Sequence, residues 1–184
     1  MNARVLGIDP GLDRTGWAVV KNDGPAGMVL EACGLIHTPA AFELPQRLDI
    51  IYGEIKKVAA LFAPQAAAME EMFFLKRAMT MSHTIQTRGV ILLALHQCGL
   101  GVSVYQPKKV KLTVAGSGAA DKKQMQRMVQ LTLRLKEQLR PDDAADAAAI
   151  AVCHLKTAPA AAQIAAQQKF LDKLKQARAQ QSRR

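Results

Sequence analysis

Four acidic residues stand where the sequence pattern predicts the ends of secondary-structure elements. Asp9 and Glu70 each follow a short apolar run, and Asp143 and Asp146 lie near the start of an alanine-rich segment. An acid directly after an apolar β-run lies at the carboxyl end of a sheet, where ligand sites are common. Asp143 and Asp146 are three residues apart, so they share one face of a helix. The pattern predicts that these carboxylates converge.

Carboxylates grouped in this way suit hard divalent cations. Mg²⁺ and Mn²⁺ prefer oxygen ligands, and Mg²⁺ usually keeps part of its water shell. Two such ions can activate a water and stabilise the leaving oxygen when a phosphodiester is cleaved. The acids therefore favour a nuclease that uses two divalent cations.

Each acid also fits a structural role. Asp9 precedes Pro-Gly and is typical of a turn, and Glu70 is also consistent with a surface charge at a strand end. Asp142 and Asp143 follow Pro141 directly, which is typical of a helix cap. Glu71 stands beside Glu70, and strand alternation puts the two on opposite faces, so only one of them can be a direct ligand.

The elements that must position these acids follow from apolar periodicity and turn residues. Three short apolar runs before residue 38, separated by Pro-Gly and Asn-Asp-Gly-Pro, predict antiparallel strands. Helical spacing follows over 44–62 and stops at Pro64. The chain then alternates strand and helix, and we predict strands over 66–69 and 102–105 and a helix over 78–98. The fold class is α/β, a mixed five-stranded sheet flanked by helices.

The last third of the chain reads as helical. We predict helices over 107–115, 122–139 and 141–155. The domain is expected to span residues 1–156. Residues 157–184 are predicted to form a basic Ala/Gln-rich C-terminal helix or tail, which is expected to be partly disordered.

Positive charge is concentrated in the middle of the chain. The net charge is +10, and residues 76–140 alone hold 12 basic and 2 acidic residues. This distribution indicates a surface that attracts phosphates. Solvated helix faces are the alternative for the same charges. A non-catalytic, structure-selective DNA-binding module would also need only this basic surface.

Other classes of protein are disfavoured by composition. No run of about 18 uncharged apolar residues predicts a membrane-spanning helix, and no signal peptide is expected. Three cysteines, Cys33, Cys98 and Cys153, are far apart and form no CxxC, which fits reduced thiols. We expect a cytoplasmic protein without a membrane partner.

Five segments, taken in order, resemble the motifs of one nuclease family. Their order and spacing extend from residue 4 to about residue 155, and they resemble the RuvC family of bacterial Holliday junction resolvases. The segments are Gly7–Gly11 with Thr15-Gly16, Met69–Phe73, Gln86–Val90, Val110–Lys122 and Asp143–Ala147.

The resemblance implies a ribonuclease H-like fold and a crossover junction endodeoxyribonuclease. Such an enzyme is a homodimer that nicks two strands of a four-way junction symmetrically during recombination and repair. By motif position, Asp9, Glu70, Asp143 and Asp146 would be the catalytic, metal-binding carboxylates for two Mg²⁺ or Mn²⁺ ions. The helix over 78–98 is the candidate dimer interface, with core packing as its alternative. The branch-migration proteins RuvA and RuvB are the implied partners.

Basic residues near the predicted cleavage site are implied to contact DNA. Lys111 and Lys122 match family positions near the scissile phosphate, where they could stabilise charge in the transition state. Lys108 and Lys123 extend the patch and are expected to hold the DNA backbone without reading sequence.

A second DNA-binding segment follows Glu71. Phe73 matches an aromatic residue that stacks on a base, a contact worth about 1–3 kcal/mol. Lys76 and Arg77 are placed to hold the strand beside it. RNA-processing nucleases of the same superfamily, similar to the YqgF-like proteins, share the Gly-x-Asp-x-Gly start. They are usually shorter and lack the long helix, which disfavours them.

Overall fold

The computed structural model describes residues 3–71 and 78–158, and describes side chains in these ranges except at 78–81. The elements follow one another as a strand meander and then as alternating helices and strands. They are β1 (Arg4–Asp9), β2 (Arg14–Asn22), β3 (Met28–His37), α1 (Leu44–Phe62), β4 (Ala66–Glu70), α2 (Ala78–Gln97), β5 (Val102–Tyr105), α3 (Pro107–Ala115), α4 (Lys122–Thr132) and α5 (142–158). A single 3₁₀ turn, Gly24–Ala26, lies between β2 and β3.

The five strands form one mixed sheet in the order β3-β2-β1-β4-β5. The first three strands pair antiparallel, β4 lies parallel to β1, and β5 lies parallel to β4. The prediction of a mixed five-stranded sheet flanked by helices is confirmed. Because β1 and β4 are parallel, their carboxyl ends lie side by side at one edge of the fold.

Helices cover both faces of the sheet. Side chains alternate along β1, so Leu6 and Ile8 face one layer and Val5 faces the other. Leu6 and Ile8 belong to a core with buried residues of α1 and α2. Val5 belongs to a second core with buried residues of α3, α4 and α5. The strands therefore share two apolar cores.

Helix α4 is shorter than the sequence predicts. It ends at Thr132, whereas helical spacing suggested an end at 139, so that boundary was wrong. Leu133 is buried and Arg134 adopts a left-handed backbone with φ of 53°. The Gln130 side chain donates to the carbonyl oxygens of Leu135 and Lys136 and holds the irregular segment that follows.

Helix α5 continues through residue 158, and residues 159–184 lie outside the described part of the chain. The division at 156/157 and the partly disordered tail stay predictions. Phe73, Lys76 and Arg77 also lie outside the described residues. Among the helices that the structure describes, none has the length and apolar character that crossing a membrane requires. The cysteines are free thiols, of which Cys98 is exposed.

Candidate active site

Asp9 and Glu70 stand next to each other at the carboxyl ends of two parallel strands. Ile8 of β1 pairs in register with Met69 of β4. Ile8 and Met69 are fully buried in the core beneath α1 and α2. Since successive side chains point to opposite faces, Asp9 and Glu70 both face the layer of α3, α4 and α5.

Two glycines allow helix α5 to lie directly on the sheet. A Cβ atom at Gly7 would come within 2.1 Å of the Ala147 carbonyl oxygen, and one at Gly16 within 2.1 Å of the Asp143 carbonyl oxygen. No side chain fits at either position unless the helix moves. Asp9 pairs with Gly16 across β1 and β2, so the helix start is held beside Asp9. This close approach brings the acids of α5 to the strand acids.

Three of the four predicted carboxylates line one cleft. Its volume is about 340 Å³, and Asp9, Glu70 and Asp146 face it together with Lys111 and Lys122. Asp143, one helical turn before Asp146, lines a neighbouring groove instead. The structure thus brings together acids from two strands and a helix, and lysines from two further helices.

The two lysines reach the cleft for different reasons. Val110 and Val114 of α3 are buried, which leaves the adjacent Lys111 at the rim of the cleft. Lys122 is the first residue of α4, whose start is held by a capping box between Asp121 and Gln124. Its Nζ lies 3.1 Å from an Asp142 oxygen and 3.7 Å from an Asp146 oxygen.

The carboxylates of the cleft resist ionisation. Burial, followed by the negative charges of Asp146, Glu70 and Asp143, raises the pKa of Asp9 to about 7. Burial and the charge of Asp146 raise the pKa of Glu70, which Lys111 opposes. Burial also raises the pKa of Asp146, against the attraction of Lys122. The negative charge of the cleft is therefore only partly compensated by the lysines.

Such a site fits hard divalent cations. Its donors are all carboxylate oxygens, which Mg²⁺ and Mn²⁺ prefer. Burial is the main cause of the raised pKa values and repulsion between the acids adds to it, and a bound cation would offset both. Across 3–71 and 78–158, no group of three or more acidic, histidine or cysteine side chains is arranged to hold a metal ion. Among the residues that the structure describes, two of the four acids form ion pairs with cations of the chain: Asp146 with Lys122, and Asp143 with Arg14.

Sequence reasoning missed the role of two arginines. Arg14 donates from Nε and Nη2 to the same Asp143 oxygen, at 3.0 and 2.6 Å. Arg88, half-buried in α2, donates to the Glu70 carbonyl oxygen at 2.5 Å. Arg88 stood within a segment that resembled a family motif, whereas no local pattern marks Arg14, which is 129 residues from its partner.

The two adjacent glutamates have different surroundings. Glu70 lines the 340 Å³ cleft, whereas Glu71 is exposed and lines a smaller cavity with Arg88 and Thr84, which Asp9 and Glu70 also reach. Burial lowers the pKa of Arg88, and the charge of Glu71 opposes that change. Glu70 is therefore better placed than Glu71 to bind a metal ion in the cleft. Glu71 lies beside Arg88 and acts on its charge.

Lys108 and Lys123, which are also predicted to contact DNA, do not line the cleft. Lys108 packs beside Gly118, where an added Cβ would come within 2.8 Å of the Lys108 Cγ. Lys123 lines a separate cavity with Ser117 and Arg127. Their roles in DNA binding stay predictions, as do those of Phe73, Lys76 and Arg77.

The match to known proteins covers most of the chain. Residues 5–154 match the family described as "Crossover junction endodeoxyribonuclease RuvC". The chain belongs to the RuvC family. It is 48% identical over 157 residues to the RuvC of Roseiflexus sp. (strain RS-1), covering 85% of this chain and 92% of that protein. It is 49% identical over 156 residues to the RuvC of Chloroflexus aggregans, covering 85% and 94%.

Solved structures agree with this membership. The Thermus thermophilus RuvC structure superposes with a TM-score of 0.80 at 33% identity, covering 86% of this chain and 96% of that one. The same protein in complex with a Holliday junction substrate superposes with a TM-score of 0.81 at 34% identity, covering 85% and 94%. The predictions of the RuvC family and of its ribonuclease H-like fold are confirmed.

Proposed function

We propose that this chain is a metal-dependent endonuclease that resolves Holliday junctions by nicking two strands symmetrically. The observation that best supports this proposal is the cleft that Asp9, Glu70 and Asp146 line together with Lys111 and Lys122. Membership of the RuvC family supports four-way junction DNA as the substrate, since a relative of similar fold was solved with a Holliday junction.

The four acids are the proposed metal ligands. Asp9, Glu70, Asp143 and Asp146 would hold two Mg²⁺ or Mn²⁺ ions. When bound, the ions would supply an activated water and stabilise the leaving oxygen of the phosphodiester. Asp143 can join the set once its ion pair with Arg14 opens, because it lies one turn from Asp146 on α5.

The two lysines of the cleft are proposed to face the scissile phosphate. Lys111 and Lys122 line the same cleft as the acids, so a phosphate that enters the cleft would come within reach of both lysines. Preorganised cations at this position stabilise the charge that develops as the phosphodiester is cleaved.

A homodimer is proposed because the substrate has two equivalent strands. A two-fold enzyme presents two identical active sites to a two-fold substrate, which suits two identical cuts. Helix α2 supports this proposal, since Ile85, Leu92 and Leu93 are 46%, 37% and 51% exposed. Ile85 and Leu92 are two turns apart, with Gly89 between them on the same face, which suits packing against a second helix.

The remaining proposals concern partners. Lys108 and Lys123 would hold DNA backbone farther from the cleft, and Phe73, Lys76 and Arg77 would hold the strand near the crossover. RuvA and RuvB are proposed partners on family membership alone, and the cytoplasm is the proposed location.

The experiment is cleavage of an end-labelled four-way junction and of a linear duplex with the same arm sequence. Each is incubated with Mg²⁺, Mn²⁺ or chelator and resolved on a denaturing gel. We expect paired nicks at symmetric positions in the junction only, and only with a divalent ion.

Other products would point to the alternatives. Junction binding without nicks, with either ion and several arm sequences, would indicate a non-catalytic binding module. Cleavage of structured RNA in preference to the junction would indicate an RNA-processing nuclease. A single nick per junction would contradict the symmetric dimer.

A further inference from the structure

A second concave surface continues from the catalytic cleft. It is an open groove of about 760 Å³, lined by Arg14, Lys122, Arg140, Pro141, Asp142 and Asp143. Lys122 belongs to both the groove and the cleft. A DNA strand whose scissile phosphate lies beside Lys122 can therefore continue into this groove.

The charges of the groove are unevenly paired. Asp142 lies 3.1 Å from Lys122, and Asp143 lies 2.6 Å from Arg14, so each acid has a cationic partner. Arg140 is exposed, and its charge contributes to the lowered pKa of Asp142, although its side chain makes no hydrogen bond or close ion pair with the residues that the structure describes. The guanidinium of Arg140 therefore has all its N–H donors available to a ligand, although it lies within the field of Asp142.

The pair between Arg14 and Asp143 is open to exchange. The Arg14 side chain is 48% exposed, and two of its nitrogens share one Asp143 oxygen. A guanidinium bound in this way keeps further N–H donors, and its planar geometry suits a phosphate as well as a carboxylate. Asp143 is itself a proposed ligand of the divalent cations, so Arg14 becomes available to another anion when that carboxylate turns to the cleft.

We infer that Arg14 and Arg140 form a phosphate-binding site for the DNA backbone, next to the phosphate that is cleaved. Arg140 binds this phosphate directly. Arg14 exchanges Asp143 for it, which couples release of the carboxylate to entry of the strand. The inference rests on the proposed function for the identity of the ligand, and it assigns roles to two residues outside the cleft.

The test is junction binding by fluorescence anisotropy over 50–300 mM salt, in chelator so that no cleavage occurs. Loss of one phosphate contact lowers the slope of log K against log salt by about 0.9 and the affinity at 0.1 M salt by about eightfold. We expect Arg140→Gln to show this loss and Arg14→Gln to show at least as much. Unchanged slopes in both variants would overturn the proposal.

The matched control is Arg4→Gln. Arg4 is paired with Glu31 at 2.6 Å and is 39% exposed, and it lies at the opposite end of β1. This substitution removes the same charge and also leaves a carboxylate without its partner. We expect its slope to equal that of the wild type. An equal loss in this control would mean that net charge alone explains the effect, which would also overturn the proposal.

A double substitution separates phosphate binding from simple neutralisation of Asp143. In Asp143→Asn, Arg14 is released, and we expect junction binding tighter than in the wild type. Adding Arg14→Gln to that variant should lower the slope by about 0.9. If Arg14 only neutralises Asp143, the added substitution changes nothing, and the role of Arg14 is disproved.

A metal titration without DNA gives an independent measurement. Mn²⁺ binding, followed by the loss of the free-ion electron paramagnetic resonance signal, should tighten in Arg14→Gln and stay unchanged in Arg140→Gln. Equal Mn²⁺ affinity in wild type and Arg14→Gln would exclude the exchange. Failure of the proposed function is distinct: the wild type would not nick junctions with Mg²⁺ or Mn²⁺, whatever the slopes in chelator.

Discussion

The two faces of the sheet are packed with side chains of very different size. On the face covered by α1 and α2, the core consists mainly of large aliphatic residues, among them Leu6, Ile8, Ile51, Ile55, Met69, Ile91 and Leu95. On the face covered by α5, much of the core is alanine, and the strands present glycine, among them Ala18, Ala68, Ala147, Ala148, Ala151, Gly7 and Gly16.

The two faces of the sheet therefore have different roles: one supplies much of the stability of the fold, and the other positions the acids of the active site. Burying a large aliphatic side chain contributes about 1.5–3 kcal/mol, so the face of α1 and α2 supplies much of the apolar stabilisation. Small residues on the other face let the backbone of α5 touch the strands, and its acids then reach Asp9. That face holds carboxylates with raised pKa values, which is a cost that a purely structural packing would not carry.

The largest expected effect follows from removing one acid of the cleft. Asp9→Asn or Asp146→Asn should lower junction cleavage at least about 100-fold, the scale of losing one group that stabilises a transition state. Binding of the junction should persist. Cleavage rates and anisotropy measure the two properties. Asp49→Asn, an exposed acid of α1, is the control, and normal cleavage by Asp9→Asn would refute the assignment of the catalytic face.

Two lysine substitutions test whether only the residues that line the cleft affect the rate of cleavage. Lys111→Gln should lower the cleavage rate of bound junction about 100-fold, because Lys111 lines the cleft. Lys123→Gln should leave that rate unchanged and weaken binding less than tenfold, because Lys123 lines a different cavity. Single-turnover kinetics at saturating enzyme separate rate from affinity. Equal losses of rate in both variants would contradict this placement.

The close packing of α5 can be tested with glycine substitutions. Gly7→Ala should lower the free energy of unfolding by about 3 kcal/mol, because its Cβ meets the backbone of α5. Gly53→Ala, on α1 with no atom within 4 Å of the added Cβ, should be neutral or stabilising by up to about 1 kcal/mol. Denaturant unfolding measures both. Similar stabilities in the two variants would mean that α5 does not rest on β1.

The raised pKa of Asp9 predicts how stability depends on pH. Asp9 has a pKa of about 7 in the folded protein and an ordinary value of 3.8. Between these values the folded chain binds more protons than the unfolded chain, so without metal stability falls as the pH rises from about 4 to 7. Asp9→Asn removes this loss and should melt at least about 3 °C above the wild type at pH 8 in chelator.

The pH series contains its own control. The difference in melting temperature between Asp9→Asn and wild type should shrink as the pH is lowered from 8 towards 4, and it should vanish below the ordinary pKa of 3.8, where Asp9 is protonated in both states. A constant difference from pH 4 to pH 8 would show that the substitution acts by packing and not by charge.

Much of the fold could be predicted from local patterns. Apolar runs broken by Pro-Gly and Asn-Asp-Gly-Pro indicated the meander, and the acids at the ends of two runs indicated the site. These features depend on neighbouring residues, as does the helical spacing of 44–62. The end of α4 could not be predicted, because burial of Leu133 and the left-handed turn at Arg134 depend on packing against the rest of the core.

The sequence by itself determined which residue types are available and which element carries each of them: two acids at strand ends, two on one helix face, and lysines at helix starts. Only the tertiary structure decided which of these residues meet. Strand register places Asp9 beside Glu70, and contact of α5 with two glycines brings Asp146 to them. The tertiary structure also places Lys122 in the cleft and Lys123 in a different cavity, and it pairs Arg14 with Asp143. Such contacts depend on packing between elements far apart in the chain.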